Sequence, residues 1–206
     1  MSKAGAGSGS RPVWSAGQEG QGETRAERSP PPVSEQHFTF WPIGVIRSPF
    51  LEQQGTPIQP TASDGAEGLI EVFPPYQEGL ADLDGFERIW LLYVFDRAKP
   101  WKPRVLPYRD QVERGLFSTR APARPCAIGL SAVELMDVKG ALVSVRGIDV
   151  LDGTPLLDLK PYVPEFDAHP GSRAGWLSES GLATRKADDR FVSPEIPDHT
   201  RDPRVP

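Results

Sequence analysis

The sequence predicts a mostly β protein whose short strands form one antiparallel sheet that curls or closes. Several short runs are rich in β-branched and aromatic residues, and Gly, Pro and Asp turn signals separate them. Strands do not alternate with long helical segments, which argues against a doubly wound nucleotide-binding fold. A sheet that curls or closes has fewer exposed edges, so the pattern predicts an all-β or β-rich α+β fold with short helices and long loops.

Each predicted element follows from a local pattern. The run at 89–95 is apolar throughout, which predicts a central strand covered on both faces. Lys139-Gly140 lies between two apolar runs and predicts a hairpin turn, and the turn Asp152-Gly153-Thr154-Pro155 interrupts the last strand. Residues 78–86 form the one helical pattern. The predicted strands cover residues 41–46, 68–73, 89–95, 126–135, 141–145 and 150–159.

The composition predicts one compact domain between two disordered arms. Pro and Gly supply 23 and 20 of the 206 residues, which points to disordered flanks around a compact centre. We expect an amino-terminal arm at 1–36, a β-barrel domain at 37–167 and a largely disordered tail at 168–206. Trp176-Leu177 and Phe191-Val192 are the exceptions, since these apolar pairs could anchor short pieces of the tail on the core.

Several classes of function are disfavoured by what the core lacks. His37 is the only histidine near the core, which argues against Ser-His and Cys-His hydrolases and against zinc. No metal site is predicted. The single cysteine, Cys126, indicates a reducing compartment. The chain has no apolar run long enough for a secretory signal or a membrane span, so we expect a cytoplasmic protein with no membrane partner.

The charge is unevenly distributed. The net charge is -5, yet residues 97–124 carry eight Lys and Arg against Asp110 and Glu113. Aromatic residues and prolines at 100, 103, 107, 122 and 125 accompany these cations, which suits a preformed surface that binds phosphates and stacks on bases. A solvated loop is the alternative explanation. The candidate RNA-binding residues are Lys102, Arg104, Arg109 and Arg124.

Four ordered motifs resemble those of the TrmO (TsaA-like, YaeB-like) family. RGLFSTRAPARPCAIGLS at 114–131 and LDGTPLLDLKPYVP at 151–164 are similar to its signatures. PIGVIRSPF with the following TPIQP resembles its first strand and turn, and FERIWLLYVFDRA resembles its central strand. The resemblance implies a single-sheet β-barrel, usually a dimer, that uses S-adenosylmethionine. It also implies methylation of N6 of threonylcarbamoyladenosine at position 37 of tRNA, in the anticodon loop.

The resemblance also implies a set of residues that hold the methyl donor. An arginine would meet the donor's carboxylate, carboxylates its ammonium or ribose, and backbone at proline-restrained turns its adenine. Local roles are the alternative: Asp152 opens a turn, and Asp158 and Lys160 lie on the polar face of a strand. The expected cofactor-binding residues are Gln59, Pro60, Phe95, Asp96, Arg120, Asp152, Gly153, Thr154, Pro155 and Lys160.

The proton that leaves N6 needs an acceptor, and Asp158, followed by Asp96, is the candidate for this catalytic role. The chain departs from the family pattern at Cys126-Ala127, where relatives have Asn-Pro, and at Ile58, where they have Arg. Two alternatives therefore stay open: methylation of a small molecule or another RNA, and S-adenosylmethionine binding without transfer.

Overall fold

The computed structural model describes residues 37–180 and 183–191. The described residues from 40 to 191 form one compact unit, which holds every strand among them. The strands are β1 Gly44–Arg47, β2 Glu67–Val72, β3 Arg88–Val94, β4 Arg104–Val105, β5 Arg114–Gly115, β6 Ile128–Lys139, β7 Leu142–Arg146 and β8 Thr154–Pro161. One α-helical turn, α1, spans Pro164–Asp167, and short 3-10 helices span Pro60–Ala62, Pro74–Leu80, Leu83–Gly85, Leu116–Ser118, Gly175–Ser178 and Asp189–Phe191.

Six of the strands form a closed antiparallel barrel, as the sequence predicts. Their order is β1-β2-β7-β6-β3-β8, and β8 pairs with β1 to close the ring. The hairpin between β6 and β7 turns at Gly140, whose φ of 59° is in the left-handed region that glycine tolerates. Every barrel strand has a hydrogen-bonded neighbour on both sides, so the barrel has no edge along which another chain could pair.

The barrel core is built by alternation along the strands. Ile89, Leu91 and Tyr93 of β3 are buried, whereas Trp90 and Leu92 between them are only half-buried. The expectation that this apolar run is covered on both faces is therefore corrected, because its outer face packs only in part. The other barrel strands, together with Ile148 between β7 and β8, add the rest of the core, chiefly Ile46, Ile70, Val72, Val133, Val143, Val145 and Leu156.

The predicted helix at 78–86 is a pair of 3-10 helices instead. The first begins at Pro74 and ends at Leu80, and the second spans Leu83–Gly85. Asp82 between them has a φ of 64°, which no α-helix accommodates. The segment is too short for α-helical hydrogen bonds to become favourable. Its two glycines disfavour an α-helix further.

The basic stretch forms a lobe, residues 97–127, with an apolar cluster of its own. β4 and β5 pair as a two-stranded ribbon, in which Arg104 faces Gly115 and Val105 faces Arg114. Val105, Leu116, Ala121 and Ala123 are buried together with Phe191 from near the end of the chain. The backbone of the lobe is therefore held by buried side chains of its own.

Residues 183–191, the C-terminal strap, pair with the loop that follows β1. Lys186 faces Pro57 in an antiparallel bridge, and the Ala187 amide donates to the Thr56 carbonyl at 2.7 Å. The strap ends at Phe191, whose carbonyl accepts the Lys99 amide at 2.9 Å. The predicted arm at 1–36 and residues 181–182 and 192–206 of the predicted tail lie outside the described residues. Within the described ranges no helix is long and apolar enough to cross a membrane.

Candidate functional site

A cavity of about 830 Å³ opens where β3 ends and β6 begins. The loop at 53–59 forms one side, the lobe forms another, and the segment from Asp149 to Thr154 completes the wall beside the barrel. Trp176, together with Ala187 and Phe191 of the strap, covers the remaining side. Four chain segments that are far apart in sequence therefore meet at one site, which is typical of a binding cavity.

Arg120 and Gln59 are joined across this cavity. Nη1 of Arg120 donates to Oε1 of Gln59 at 2.8 Å, although 61 positions separate them in sequence. The bond holds the lobe against the loop at 53–59. It occupies one of the five N–H donors of the guanidinium, so Arg120 retains donors for a carboxylate.

Arg97 attaches the end of β3 to the turn before β8. Its Nη2 donates to the Asp152 carbonyl at 2.9 Å and to Oγ1 of Thr154 at 3.3 Å. Its Nε pairs with the Asp96 carboxylate at 3.3 Å. Gly153 has a φ of 77°, and its amide donates to the Ile46 carbonyl of β1. The turn is thus fixed from two sides, and Thr154 is held at the cavity wall.

Three buried or half-buried polar side chains form a hydrogen-bonded row at the barrel side of the cavity. The Ser131 hydroxyl donates to Oδ1 of Asp149 at 2.6 Å. The Tyr93 hydroxyl lies 3.0 Å from the same serine oxygen. While Asp149 is ionised, Ser131 gives its one proton to the carboxylate, and the Tyr93 hydroxyl then donates to Ser131. The row therefore runs from Tyr93 through Ser131 to the carboxylate.

Burial sets the protonation behaviour of this row. Burial raises the pKa of the Asp149 carboxyl to about 7, while the Ser131 hydrogen bond and the Arg120 charge lower it in part. Burial also raises the pKa of Tyr93, with the nearby Asp149 carboxylate adding to the increase. Tyr93 is therefore a neutral donor, and Asp149 exchanges its proton near neutral pH.

The remaining wall is aromatic and positively charged. Four arginines line the cavity and Asp149 is the one carboxylate among its described lining residues; the arginines are Arg97, Arg109, Arg120 and Arg124. The guanidinium of Arg124 lies 5.6 Å from the ring centroid of Phe117, which is 80% exposed. The Trp176 indole donates to the Ser118 carbonyl at 2.8 Å. Exposed rings beside cations suit a planar ligand that carries negative charge.

The structure brings some of the predicted site residues together and leaves others apart. The expected cofactor residues that line the cavity are Gln59, Phe95, Arg120 and Thr154, and Arg109 and Arg124 of the expected RNA-binding set line it as well. The other predicted residues are not among its lining, namely Pro60, Asp96, Asp152, Gly153, Pro155, Asp158, Lys160, Lys102 and Arg104.

Several of those outlying residues have local partners. Asp158 and Lys160 pair with each other at 2.7 Å, and their side chains are 42% and 60% exposed. The Asp152 carboxylate accepts the Ser48 amide at 3.1 Å and lies 3.9 Å from Arg47, so it holds the turn against the chain beyond β1. Lys102 and Arg104 are exposed on the lobe, and Arg104 donates to the Glu113 carbonyl.

Sequence reasoning missed Asp149, Ser131, Tyr93 and Arg97. The one available signal for Asp149 was an acidic residue between Ile148 and Val150, both of which are buried. An isolated carboxylate in an apolar run is expensive unless it is paired or functional. For metals the result is negative: no cluster of His, Cys, Asp and Glu within 37–180 and 183–191 could hold an ion.

A closed antiparallel barrel with an arginine-lined cavity at its side defines the class, a small β-barrel with a candidate binding cavity between strand ends and loops. The chain belongs to the tRNA-methyltransferase O family: residues 45–168 match its N-terminal domain. A protein of Pyrococcus abyssi named a probable S-adenosyl-L-methionine-binding protein is 50% identical over 156 residues, which are 75% of this chain and 85% of that one.

Two further relatives are longer than the part they share with this chain. The tRNA (adenine(37)-N6)-methyltransferase of Escherichia coli is 35% identical over 156 residues, covering 71% of this chain and 66% of that protein. The crystal structure of TrmO from Pseudomonas aeruginosa superposes with a TM-score of 0.59 at 41% identity, over 68% of this chain and 62% of that chain. The chain thus spans about two thirds of these two relatives.

Proposed function

We propose that the protein is an S-adenosylmethionine-dependent methyltransferase that modifies N6 of threonylcarbamoyladenosine at position 37 of tRNA. The observation that carries this is the cavity, in which segments of all four family motifs meet beside the barrel. The family and the names of its relatives support the same activity. Because position 37 lies in the anticodon loop, the proposal includes binding of that loop.

The residues of the cavity fit the methyl donor. Its volume of about 830 Å³ lies within the range of small-molecule sites. Arg120, positioned by Gln59, would hold the donor's carboxylate, and Phe95 would pack against its apolar atoms. Thr154 and the backbone of the turn Asp152-Gly153-Thr154-Pro155 would define the wall beside it. The donor supplies an activated methyl group on a positively charged sulfur, and the protein's part is to orient it.

Pro60, Asp96 and Lys160 have indirect parts in this proposal. Pro60 begins the 3-10 helix after Gln59 and so fixes where that side chain starts. Asp96 orients Arg97, which in turn holds the turn at Thr154. Lys160 neutralises Asp158 on the outer surface of β8.

The RNA would approach over the lobe. Arg109 and Arg124 at the cavity and Lys102 and Arg104 on the exposed side of the lobe would contact phosphates. Phe117, beside Arg124, offers an exposed ring on which an unpaired base can stack. The positive lining of the cavity would attract the tRNA in spite of the net charge of -5.

Assembly and location are further parts of the proposal. A homodimer is part of the proposal. Leu130 and Ile128 at the start of β6 are 49% and 41% exposed and also line the cavity, so a partner that covers them would contribute to the site. A tRNA substrate and the single free Cys126 support a cytoplasmic location.

One observation favours a second candidate function. The P. abyssi relative and two other archaeal relatives, which share 85–98% of their length with this chain, carry names that mention only S-adenosylmethionine binding. The E. coli tRNA methyltransferase, in contrast, shares only 66% of its length with this chain. A methyltransferase for a small molecule or another RNA, or a non-enzymatic S-adenosylmethionine binder, is the alternative.

The test combines binding and product analysis. Calorimetry with S-adenosylmethionine should show binding to the full chain, and absence of binding at millimolar donor would overturn both candidates. Incubation with tRNA that carries threonylcarbamoyladenosine, followed by nucleoside mass spectrometry, should show a gain of one methyl group on that nucleoside. Binding without this product would favour the second candidate.

A further inference from the structure

The carboxylate of Asp149 lines the cavity in which the proposed methyl donor and acceptor would meet. It is the one acidic group among the described lining residues, and four arginines share that lining with it. We propose that Asp149 accepts the proton lost by the acceptor nitrogen during methyl transfer, and that Ser131 and Tyr93 act as positioning residues. This inference rests on the proposed methyltransferase function.

The chemistry of the acceptor requires such a group. The lone pair of a carbamoylated N6 is delocalised into the carbonyl group and the purine ring, so the neutral nitrogen is a poor nucleophile. Loss of its proton as the new bond forms returns electron density to the nitrogen. A positioned base that removes this proton accelerates such a step by roughly 10²–10⁴-fold.

The step balances in atoms and charge. The nitrogen forms a bond to the methyl carbon. As the proton moves to a carboxylate oxygen of Asp149, the electron pair of the N–H bond stays on the nitrogen. The carbon–sulfur bond breaks with both electrons left on sulfur, which becomes a neutral thioether. One carboxylate and one sulfonium cation thus become two neutral groups. Asp149 is half-buried, so its proton can then pass to solvent.

The fold positions Asp149 through residues of two strands. Ser131 of β6 is 1% exposed and donates to Oδ1 at 2.6 Å. Tyr93 of β3, 3% exposed, donates to Ser131 and so fixes the direction of the serine proton. The bond to Oδ1 uses one of the four acceptor positions of the carboxylate, which leaves others for the substrate proton.

The groups around Asp149 set its pKa for accepting a proton. Tyr93 and Ser131 approach from the barrel, and Arg120 acts on it from the lobe. Burial raises the pKa of Asp149 to about 7, so near neutral pH it is both ionised in a large fraction of molecules and basic enough to take a proton. Asp158 and Asp96, in contrast, are held in ion pairs with Lys160 and Arg97.

The experiment compares Asp149→Asn with the full-length wild type in single-turnover methyl transfer to tRNA, from pH 5 to pH 9. Asn keeps the size of the side chain and an acceptor for Ser131 but takes no proton. We expect a rate loss of roughly 10²–10⁴-fold, with donor affinity by calorimetry and tRNA affinity changed less than about threefold. Asp137→Asn, on the exposed end of β6, is the matched control and should keep the wild-type rate.

Two further measurements separate a base from a structural carboxylate. Carbon-13 NMR of the ligand-free protein should show a carboxyl that titrates near pH 7 and disappears in Asp149→Asn. Ser131→Ala removes the hydrogen bond that lowers the Asp149 pKa. The acidic limb of the variant's rate–pH profile should therefore lie at higher pH than that of the wild type.

The outcomes distinguish this inference from the function on which it rests. A wild type that transfers no methyl group to tRNA overturns the proposed function and the inference with it. Active wild type with Asp149→Asn within about threefold of its rate overturns the inference alone. Loss of rate in Asp158→Asn but not in Asp149→Asn would return the role to Asp158. A tenfold or greater loss of donor affinity in Asp149→Asn would assign Asp149 to donor binding.

Discussion

The ring of Tyr93 lies directly over Gly129 of the neighbouring strand. The two residues are paired in the β3–β6 register, and a Cβ on Gly129 would stand 2.1 Å from Cε2 of the ring. Glycine is therefore required here for space rather than for backbone conformation. The absent side chain lets the ring lie along β6, so that its hydroxyl reaches Ser131 two residues further on.

Gly129→Ala should push the Tyr93 ring out of this position and break its bond to Ser131. The steric cost and the lost hydrogen bond should lower the free energy of unfolding by about 1–3 kcal/mol. Chemical denaturation measures this change. Gly79→Ala is the control, because an added Cβ there meets nothing within 4 Å, and its stability should stay within about 0.5 kcal/mol. Equal effects of the two substitutions would contradict the steric account.

Asp149→Asn should change how stability depends on pH. The folded-state pKa of Asp149 is raised to about 7 from a usual value of 3.8, so folding favours the protonated carboxyl. Stability from this group is complete below the unfolded pKa and is lost as pH rises towards 7. Asparagine removes that loss. The free energy of unfolding of the variant minus that of the wild type should therefore be higher at pH 8 than at pH 3, by on the order of a few kcal/mol. Thermal unfolding at both pH values tests this, and a gain independent of pH would contradict it.

Arg120→Ala should weaken binding of S-adenosylmethionine. A charge-assisted hydrogen bond contributes about 1.5–3 kcal/mol, which corresponds to a Kd raised by roughly 10- to 100-fold. Calorimetry measures the Kd. Gln59→Ala should have a smaller effect of the same sign, since Gln59 positions the guanidinium at 2.8 Å. Wild-type affinity in Arg120→Ala would remove Arg120 from the donor site.

Lys102→Ala and Arg104→Ala should weaken tRNA binding without changing donor affinity. Both residues are exposed on the lobe and do not line the cavity. For binding to a single-stranded loop, the slope of log K against log salt should fall by about 0.7 for each phosphate that the variant no longer neutralises. Filter binding at several salt concentrations gives the slope. The surface control is Lys139→Ala at the far end of β6, which should keep the wild-type slope.

Phe191→Ala should release the C-terminal strap from the lobe. Phe191 is 6% exposed and packs edge-on against Tyr108, with ring centroids 5.2 Å apart. Truncation of a buried Phe costs about 3 kcal/mol or more, and the loss should be local to the lobe and the strap. Hydrogen exchange should show faster exchange at the Lys99 and Ala187 amides. Phe166→Ala, at a side chain that is 65% exposed, should leave these amides protected.

Most of the barrel could be predicted from the sequence because strand and turn signals are local. The run at 89–95 has the β-branched and aromatic residues that suit a strand, and Gly140 has the positive φ that a tight hairpin needs. The pair of 3-10 helices at 74–85 was not predicted, because the left-handed Asp82 that divides them has no clear sequence signal. Family motifs supplied Gln59, Phe95, Arg120 and Thr154, all of which line the cavity.

The sequence by itself determined roughly where the six barrel strands lie and, through its family motifs, that they form an antiparallel barrel. It did not predict the short ribbon of β4 and β5. Only the tertiary structure decided which carboxylate faces the cavity. The register shifts between Leu92 and Tyr93, so that β8 places Leu156 inward and Asp158 outward to meet Lys160. A shift of one position reverses the face of a side chain, and no local pattern records it. Asp149 meets Ser131 across 18 positions and Tyr93 meets Ser131 across 38, so these contacts exist only once the ring of strands has closed.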